Sequence, residues 1–314
     1  IGIVFGDIGT SPLYVFTAIT GGKNFDEGLV LGSLSCIFWT LAILASFKYI
    51  YLALNTDNKG EGGIFALYAL LLKTKSKWII FPALIGCATL ISDGFLTPAI
   101  SVSSAIEGLS LRFPKLQTLP IVTVIIIGLF MFQRFGTKVI GKTFGPIMVI
   151  WFVLLGVLGI FQIFQNPIVL KAFNPLYALD FIFYQPNGFW LMSAVFLCTT
   201  GAEALYSDLG HCGKENIRIS WSFVVVMLLL NYFGQAALCL SFNECTEVTS
   251  VFYAMVPENL LPFVNGIATL SEIIASQALI TGIFTLVNEA IKLKLWINLK
   301  VNYPTDEKGQ IYIP

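Results

Sequence analysis

Long runs without a single charge constrain this chain more than any other feature. Residues 28–47, 116–133, 143–170, 181–202 and 219–243 contain no Asp, Glu, Lys or Arg. Each run has about the length a helix needs to cross a bilayer, roughly 20 residues with a range near 17–25. Residues 78–106 and 259–288 are as clean except for one acid each, Asp93 and Glu272, and residues 1–22 are interrupted only by Asp7. Eight spans are therefore expected, at about 1–22, 28–54, 78–106, 116–133, 143–165, 181–208, 219–242 and 259–291. Period-two alternation is absent, and lipid admits only helices or closed barrels. The expectation is an all-α polytopic membrane protein with one transmembrane domain over residues 1–314.

Composition agrees. Charged residues make up 11% of the chain and hydrophobic ones 56%, against about 25% charged in a soluble domain. The mean hydropathy is +0.82. So apolar a chain cannot cover itself with polar surface. An ordinary soluble enzyme, a disordered regulator and a nucleic-acid binder with its basic patch are all excluded. The net charge is zero, so bulk charge implies no partner other than the lipid bilayer.

Orientation follows from the basic residues. Loops 55–77, 134–142, 209–218 and 292–314 are placed in the cytoplasm. With Lys48 counted beside the first of these, 14 Lys and Arg lie inside and 4 outside, Lys23, Arg112, Lys115 and Lys171. The chain opens on Ile1 and closes at Pro314 after a charged stretch, so both ends read as cut.

Several soluble chemistries find no support. Cys36, Cys87, Cys198 and Cys239 fall inside spans, and no CxxC spacing occurs. Neither a disulfide nor a structural metal is expected. Gly136-Thr-Lys-Val-Ile-Gly-Lys-Thr143 fits the phosphate-loop pattern. A membrane span follows it directly, and no soluble segment is large enough for a nucleotide-binding domain. It reads as a short basic cytoplasmic loop that binds no nucleotide. His211 is the only histidine, and neither HExxH nor GxSxG is present. No enzyme activity and no cofactor are expected.

The informative residues are the acids within the spans. A charge at mid-membrane costs at least about 2.5–3.5 kcal/mol, so it persists where a cavity, a partner or a function needs it. Three of these acids lie beside glycine or proline: Asp7 in Gly6-Asp-Ile-Gly-Thr-Ser-Pro-Leu-Tyr14, Asp93 in Ser92-Asp-Gly-Phe-Leu-Thr-Pro98, and Glu203 in Thr199-Thr-Gly-Ala-Glu-Ala-Leu-Tyr206. The glycines around Asp7, followed by Pro12, make a continuous helix improbable there. An interrupted helix frees carbonyls and aims half-helix ends at the midplane, where many transporters build an ion site. Glu272 has no adjacent breaker, and for it packing and function stay equally open. Gly9-Thr-Ser-Pro-Leu-Tyr14 is echoed by Gly201-Ala-Glu-Ala-Leu-Tyr206 in the sixth span, the spacing of an inverted five-helix repeat.

Seven blocks then carry a specific resemblance. Phe5-Gly-Asp-Ile-Gly-Thr-Ser-Pro-Leu-Tyr14, Gly60-Glu-Gly-Gly-Ile-Phe-Ala-Leu67, Thr97-Pro-Ala-Ile-Ser101 and Gly141-Lys-Thr-Phe-Gly-Pro-Ile-Met148 are four of them. Gly201-Ala-Glu-Ala-Leu-Tyr-Ser-Asp-Leu-Gly-His211, Asn231-Tyr-Phe-Gly-Gln235 and Gly309-Gln-Ile-Tyr-Ile-Pro314 complete the set. In this order they resemble the KUP/HAK/KT family of potassium uptake proteins. The resemblance implies a LeuT-type 5+5 inverted-repeat bundle of about twelve helices, of which this chain holds the first eight. It further implies a multi-pass protein of the plasma membrane, the inner membrane in a bacterium, and leaves a homodimer open.

By the same resemblance, Asp7, Tyr14, Asp93, Thr97, Thr200 and Glu203 are the potassium-binding residues, with Asp93 and Glu203 as proton-coupling candidates. Potassium is large and weakly hydrated, and hydroxyl and carbonyl oxygens can replace its water. Unwinding between Asp7 and Tyr14 is expected to expose backbone carbonyls. Thr97 lies at i+4 from Asp93 and Thr200 at i−3 from Glu203, so each pair shares a helix face. A carboxylate in low dielectric can exchange a proton near neutral pH. The expected function is secondary active potassium uptake by K+/H+ symport. Two alternatives stay open: passive channel-like permeation, and amino-acid transport on the same fold.

Overall fold

The structure is a computed structural model that describes residues 1–21, 26–58, 60–72, 77–112, 117–133, 141–242 and 248–302. The phosphate-loop look-alike and the Gly309–Pro314 block fall largely or wholly outside these residues. Among the described residues the chain is helical and forms no strand, and an isolated bridge joins Asn58 and Glu61. Among the described residues, six helical segments are long and apolar enough to cross a membrane: Glu27–Asn55, Ile80–Gly108, Thr143–Gln165, Gly188–Ser207, Lys214–Ser241 and Leu261–Lys292.

In chain order, the first segment holds α1 (Gly6–Thr10) and α2 (Val15–Thr20). It is followed by α3 (Glu27–Thr40), which continues in π form over Leu41–Leu52, and by α4 (Ile64–Leu71). Next come α5 (Ile80–Arg112), α6 (Thr118–Gln133), α7 (Gly141–Gln165) and α8 (Pro175–Tyr184). The segment Gly188–Ser207 holds α9 (Gly188–Phe196) and α10 (Ala204–Ser207), with α11 (Leu209–Cys212) after it. Then follow α12 (Lys214–Ser241), α13 (Val251–Ala254) and α14 (Leu261–Lys292).

Three expected spans take a different form. The first is split, because a 3-10 turn over Ser11–Leu13 separates α1 from α2. Pro12 lacks an N–H, and its ring disfavours a continuous α-helix at that point. The fourth is a shorter apolar helix, Thr118–Met131. The sixth begins at Gly188 rather than 181, because Pro186 holds Gln185 extended, at ψ 132°, and closes α8 at Tyr184. By contrast, α5 runs unbroken through Gly94 and Pro98.

Glycine sets how closely the helices approach. A Cβ on Gly159 of α7 would strike the Leu230 carbonyl, and one on Gly234 of α12 would strike the Gly159 backbone. Between membrane helices, where hydrophobicity supplies no attraction, such close backbone contact is a main source of association. On α1, a Cβ at Gly6 would lie 2.9 Å from Ala275 Cα of α14. Around the split segment sit the fully buried rings of Phe16, Trp151, Phe152, Tyr232 and Phe252. The broken helix is the most enclosed part of the bundle.

Candidate ion-binding site

Breaking a helix inside a bundle leaves carbonyls that need donors. Here side chains from the neighbouring helices supply them. Trp151 Nε1 donates to the Gly9 carbonyl at 2.9 Å, and Gln235 Nε2 donates to the Pro12 carbonyl at 2.8 Å. Gln235 is in turn positioned by Asn231, whose Oδ1 accepts from Gln235 at 2.8 Å while its Nδ2 donates to Leu155 O. Thr10 and Ser11 hydroxyls both donate to the Asp7 carbonyl. The Asp7, Gly9 and Pro12 carbonyls thus each accept a hydrogen bond, and the break also presents the Asp7 carboxylate.

The second break runs from Thr200 to Glu203, between the 3-10 turn Leu197–Thr199 and α10. Thr200 is extended, at ψ 130°, and Gly201 adopts φ +84°. A side chain is strained at that φ, and here there is no room for one either. A Cβ on Gly201 would lie 2.7 Å from Asp7 Cβ and 2.7 Å from Ile8 N. The two breaks therefore face each other. On the remaining side, Gly94 of α5 lies under Ile283 of α14 with no space for a Cβ, which sets the neighbouring Asp93 beside the same gap.

These approaches gather three acids. One carboxylate oxygen each from Asp7, Asp93 and Glu203 lies within 4.8 Å of the others. Asp7 is buried, the other two are half-buried, and Asp7 Oδ2 has no hydrogen-bond partner. With the oxygens no more than 4.8 Å apart, a single cation can sit within about 2.8 Å of all three, in reach of direct carboxylate ligation.

The remaining predicted residues stand around this triangle. Thr97 Oγ1 donates to Asp93 Oδ1 at 2.7 Å, so the expected i+4 pair is formed. The Tyr14 hydroxyl lies 3.3 Å from Ser11 Oγ and faces the Thr200 hydroxyl across the gap. A cavity of about 660 Å³ reaches the cluster and is lined by Asp7, Asp93, Thr200 and Glu203, but not by Tyr14 or Thr97. Its lining also includes Lys48, Gly62, Gly63, Asp208 and Glu289. Sequence reasoning had not assigned these residues to a site. One available signal was the glycine pair after Glu61, since a Cβ on Gly62 would collide with the Tyr206 carbonyl. The same loop receives a hydrogen bond from the Tyr206 hydroxyl to Thr56 O at 2.6 Å, which braces the end of the broken sixth segment.

Comparison with known proteins decides the family. The whole chain, residues 1–314, matches the family described as "K+ potassium transporter integral membrane domain". The chain belongs to this potassium transporter family. Among its relatives, the "Probable potassium transport system protein Kup" of Flavobacterium johnsoniae is 53% identical over 323 residues, covering 100% of this chain and 49% of the relative. The protein of the same description from Enterococcus faecalis is 51% identical over 333 residues, covering 100% of this chain and 50% of the relative. This chain spans about half the length of the curated relatives it matches. No solved structure matches it.

Family and helices together make this a multi-pass plasma-membrane protein of a transporter family, and the named relatives are transport proteins rather than enzymes.

Proposed function

We propose that the protein takes up potassium by secondary active K+/H+ symport, with Asp7, Asp93 and Glu203 holding the ion at the meeting point of two broken segments in a LeuT-type inverted-repeat bundle. The observation that carries this reading is the convergence of three acids, distant in sequence, in the lining of one cavity. Three carboxylates so close repel one another strongly. A potassium ion and a proton bound together among the three acids relieve that repulsion, which supports their being carried in the same cycle.

The chemistry divides by residue. Asp7, the most enclosed of the three, supplies charge from the first break. Thr200 and Tyr14 add hydroxyl oxygens from the two facing breaks. Asp93, oriented by Thr97, and Glu203, on the rim of the second break, exchange the proton. With loops 55–77 and 209–218 inside, the part of the cavity lined by Gly62, Gly63 and Asp208 lies toward the cytoplasm. Channel-like permeation lacks a TVGYG-like filter of stacked carbonyls, and the acids would repel an amino-acid carboxylate.

Rubidium uptake by the full-length protein, in cells lacking other potassium systems, tests the reading. Uptake that collapses when the proton gradient is dissipated at constant membrane potential supports symport. Uptake indifferent to the gradient contradicts it.

A further inference from the structure

Glu272 sits in α14 one helical turn before Ala275, which lines the cavity, while Glu272 does not. It is fully buried, at 0% exposure. Neither of its carboxyl oxygens has a hydrogen-bond partner. Its carboxyl faces the Thr10 hydroxyl at the first break and the Ser101 hydroxyl of α5, and Ser101 Oγ is itself buried without a partner. Three buried, unpartnered oxygens from two helices thus face one another, with the Thr10 hydroxyl beside them. The charged and titratable groups that face Glu272 are Asp7 on α1, Tyr14 and Tyr253. None of them is basic.

A lone carboxylate in such a place is costly, and removing it from water costs several kcal/mol in practice. Packing alone does not explain it: the Thr10 and Ser101 hydroxyls face the carboxyl without completing a hydrogen bond to it, whereas Asp93 receives one from Thr97 at 2.7 Å. Among the described residues, what the arrangement lacks is positive charge. Serine and threonine hydroxyls beside a carboxylate are hard oxygen ligands of the kind that bind monovalent cations.

We propose that Glu272, Thr10 and Ser101 form a second monovalent-cation site, taking a proton or an alkali ion, on the closed side of the cluster of Asp7, Asp93 and Glu203. The two sites share the α1 backbone, since Asp7 and Thr10 are one turn apart and the Thr10 hydroxyl donates to the Asp7 carbonyl at 3.0 Å. A cation entering the cluster repels one at Glu272 across a few ångströms of low dielectric. Loading the cluster with potassium therefore loosens the occupant of the second site. This inference rests on the transport reading and adds to it an ion that the cavity does not reach.

The test uses the purified full-length protein in lipid vesicles, as parent and as Glu272→Gln, which keeps size and removes charge. If the occupant is a proton, adding potassium reduces the infrared band of protonated carboxyl groups, and E272Q loses one carboxyl's share of that change. If the occupant is an alkali ion, adding potassium displaces one bound radioactive sodium from the parent and none from E272Q. Ser101→Ala keeps the carboxyl and removes one ligand, so it shifts the band or weakens sodium binding and guards against misfolding of E272Q. A parent that takes up rubidium yet gives the same potassium-induced signals as E272Q overturns the inference and leaves the transport reading standing. A parent with no uptake overturns both.

Discussion

Gly201 lies so close to Asp7 that a Cβ added to it would stand 2.7 Å from Asp7 Cβ and 2.9 Å from Asp7 Oδ2. It does so at φ +84°, in the left-handed region that suits glycine. One residue thus satisfies two demands, the turn in the sixth segment and the approach of that turn to the first. The distance between the two breaks, and with it the size of the acid triangle, depends on the absence of a side chain here.

Gly201→Ala is accordingly expected to damage transport beyond its effect on folding. The strained φ alone costs about 1–3 kcal/mol, and the clash pushes Asp7 away from Glu203. Rubidium uptake per molecule in the membrane should fall by roughly tenfold or more, each 1.4 kcal/mol being worth about a factor of ten. Ala202→Gly, in the same turn, serves as the control and should change uptake little.

The three acids are expected to separate under amide substitution. Asp7→Asn removes a charge that, at about 4 Å and an effective dielectric near 20, attracts a cation by about 4 kcal/mol. The apparent potassium affinity should fall at least about tenfold. Glu203→Gln or Asp93→Asn should instead flatten the pH dependence of uptake while leaving measurable binding. Rubidium uptake measured against potassium concentration and against external pH distinguishes the two patterns. Identical profiles for all three variants would remove the division of labour.

Gln235→Leu tests how the broken first segment is held. The substitution leaves the Pro12 carbonyl without its donor inside the bundle, at a cost of about 1–3 kcal/mol. Thermal unfolding of the purified protein should begin at a lower temperature than in the parent. An unchanged transition would mean that water or another group replaces the amide freely.

Orientation has its own check. A cysteine placed at Asn58, beside the turn at Gly60 and Glu61, should react with an impermeant thiol reagent only after the membrane is opened. Labelling from outside intact cells would reverse the assignment of every loop.

Much of this was legible in the residues themselves. Charge-free runs mark the apolar helices, and the glycines around Asp7 with Pro12 mark the first break. The echo Gly9–Tyr14 and Gly201–Tyr206 picks out the two segments that the structure finds interrupted. Other features were not legible, because they depend on contact between distant parts. Nothing local in Asn231-Tyr-Phe-Gly-Gln235 says that Gln235 will cap the Pro12 carbonyl 223 residues away. Pro98 looks like a breaker, yet α5 passes through it unbroken. Glu272 carries no neighbouring signal at all, and its isolation becomes visible only once α1 and α5 are packed around it.

The central claim is that Asp7, Asp93 and Glu203 form the ion site, and the most direct measurement is uptake by the full-length protein with all three replaced, as Asp7→Asn, Asp93→Asn and Glu203→Gln together. The amides preserve size and remove every negative charge from the triangle. Proton-driven rubidium uptake, normalised to protein in the membrane, is expected to disappear. Uptake at the parent's rate, still dependent on the proton gradient, would contradict the account and return the three acids to the role of packing groups.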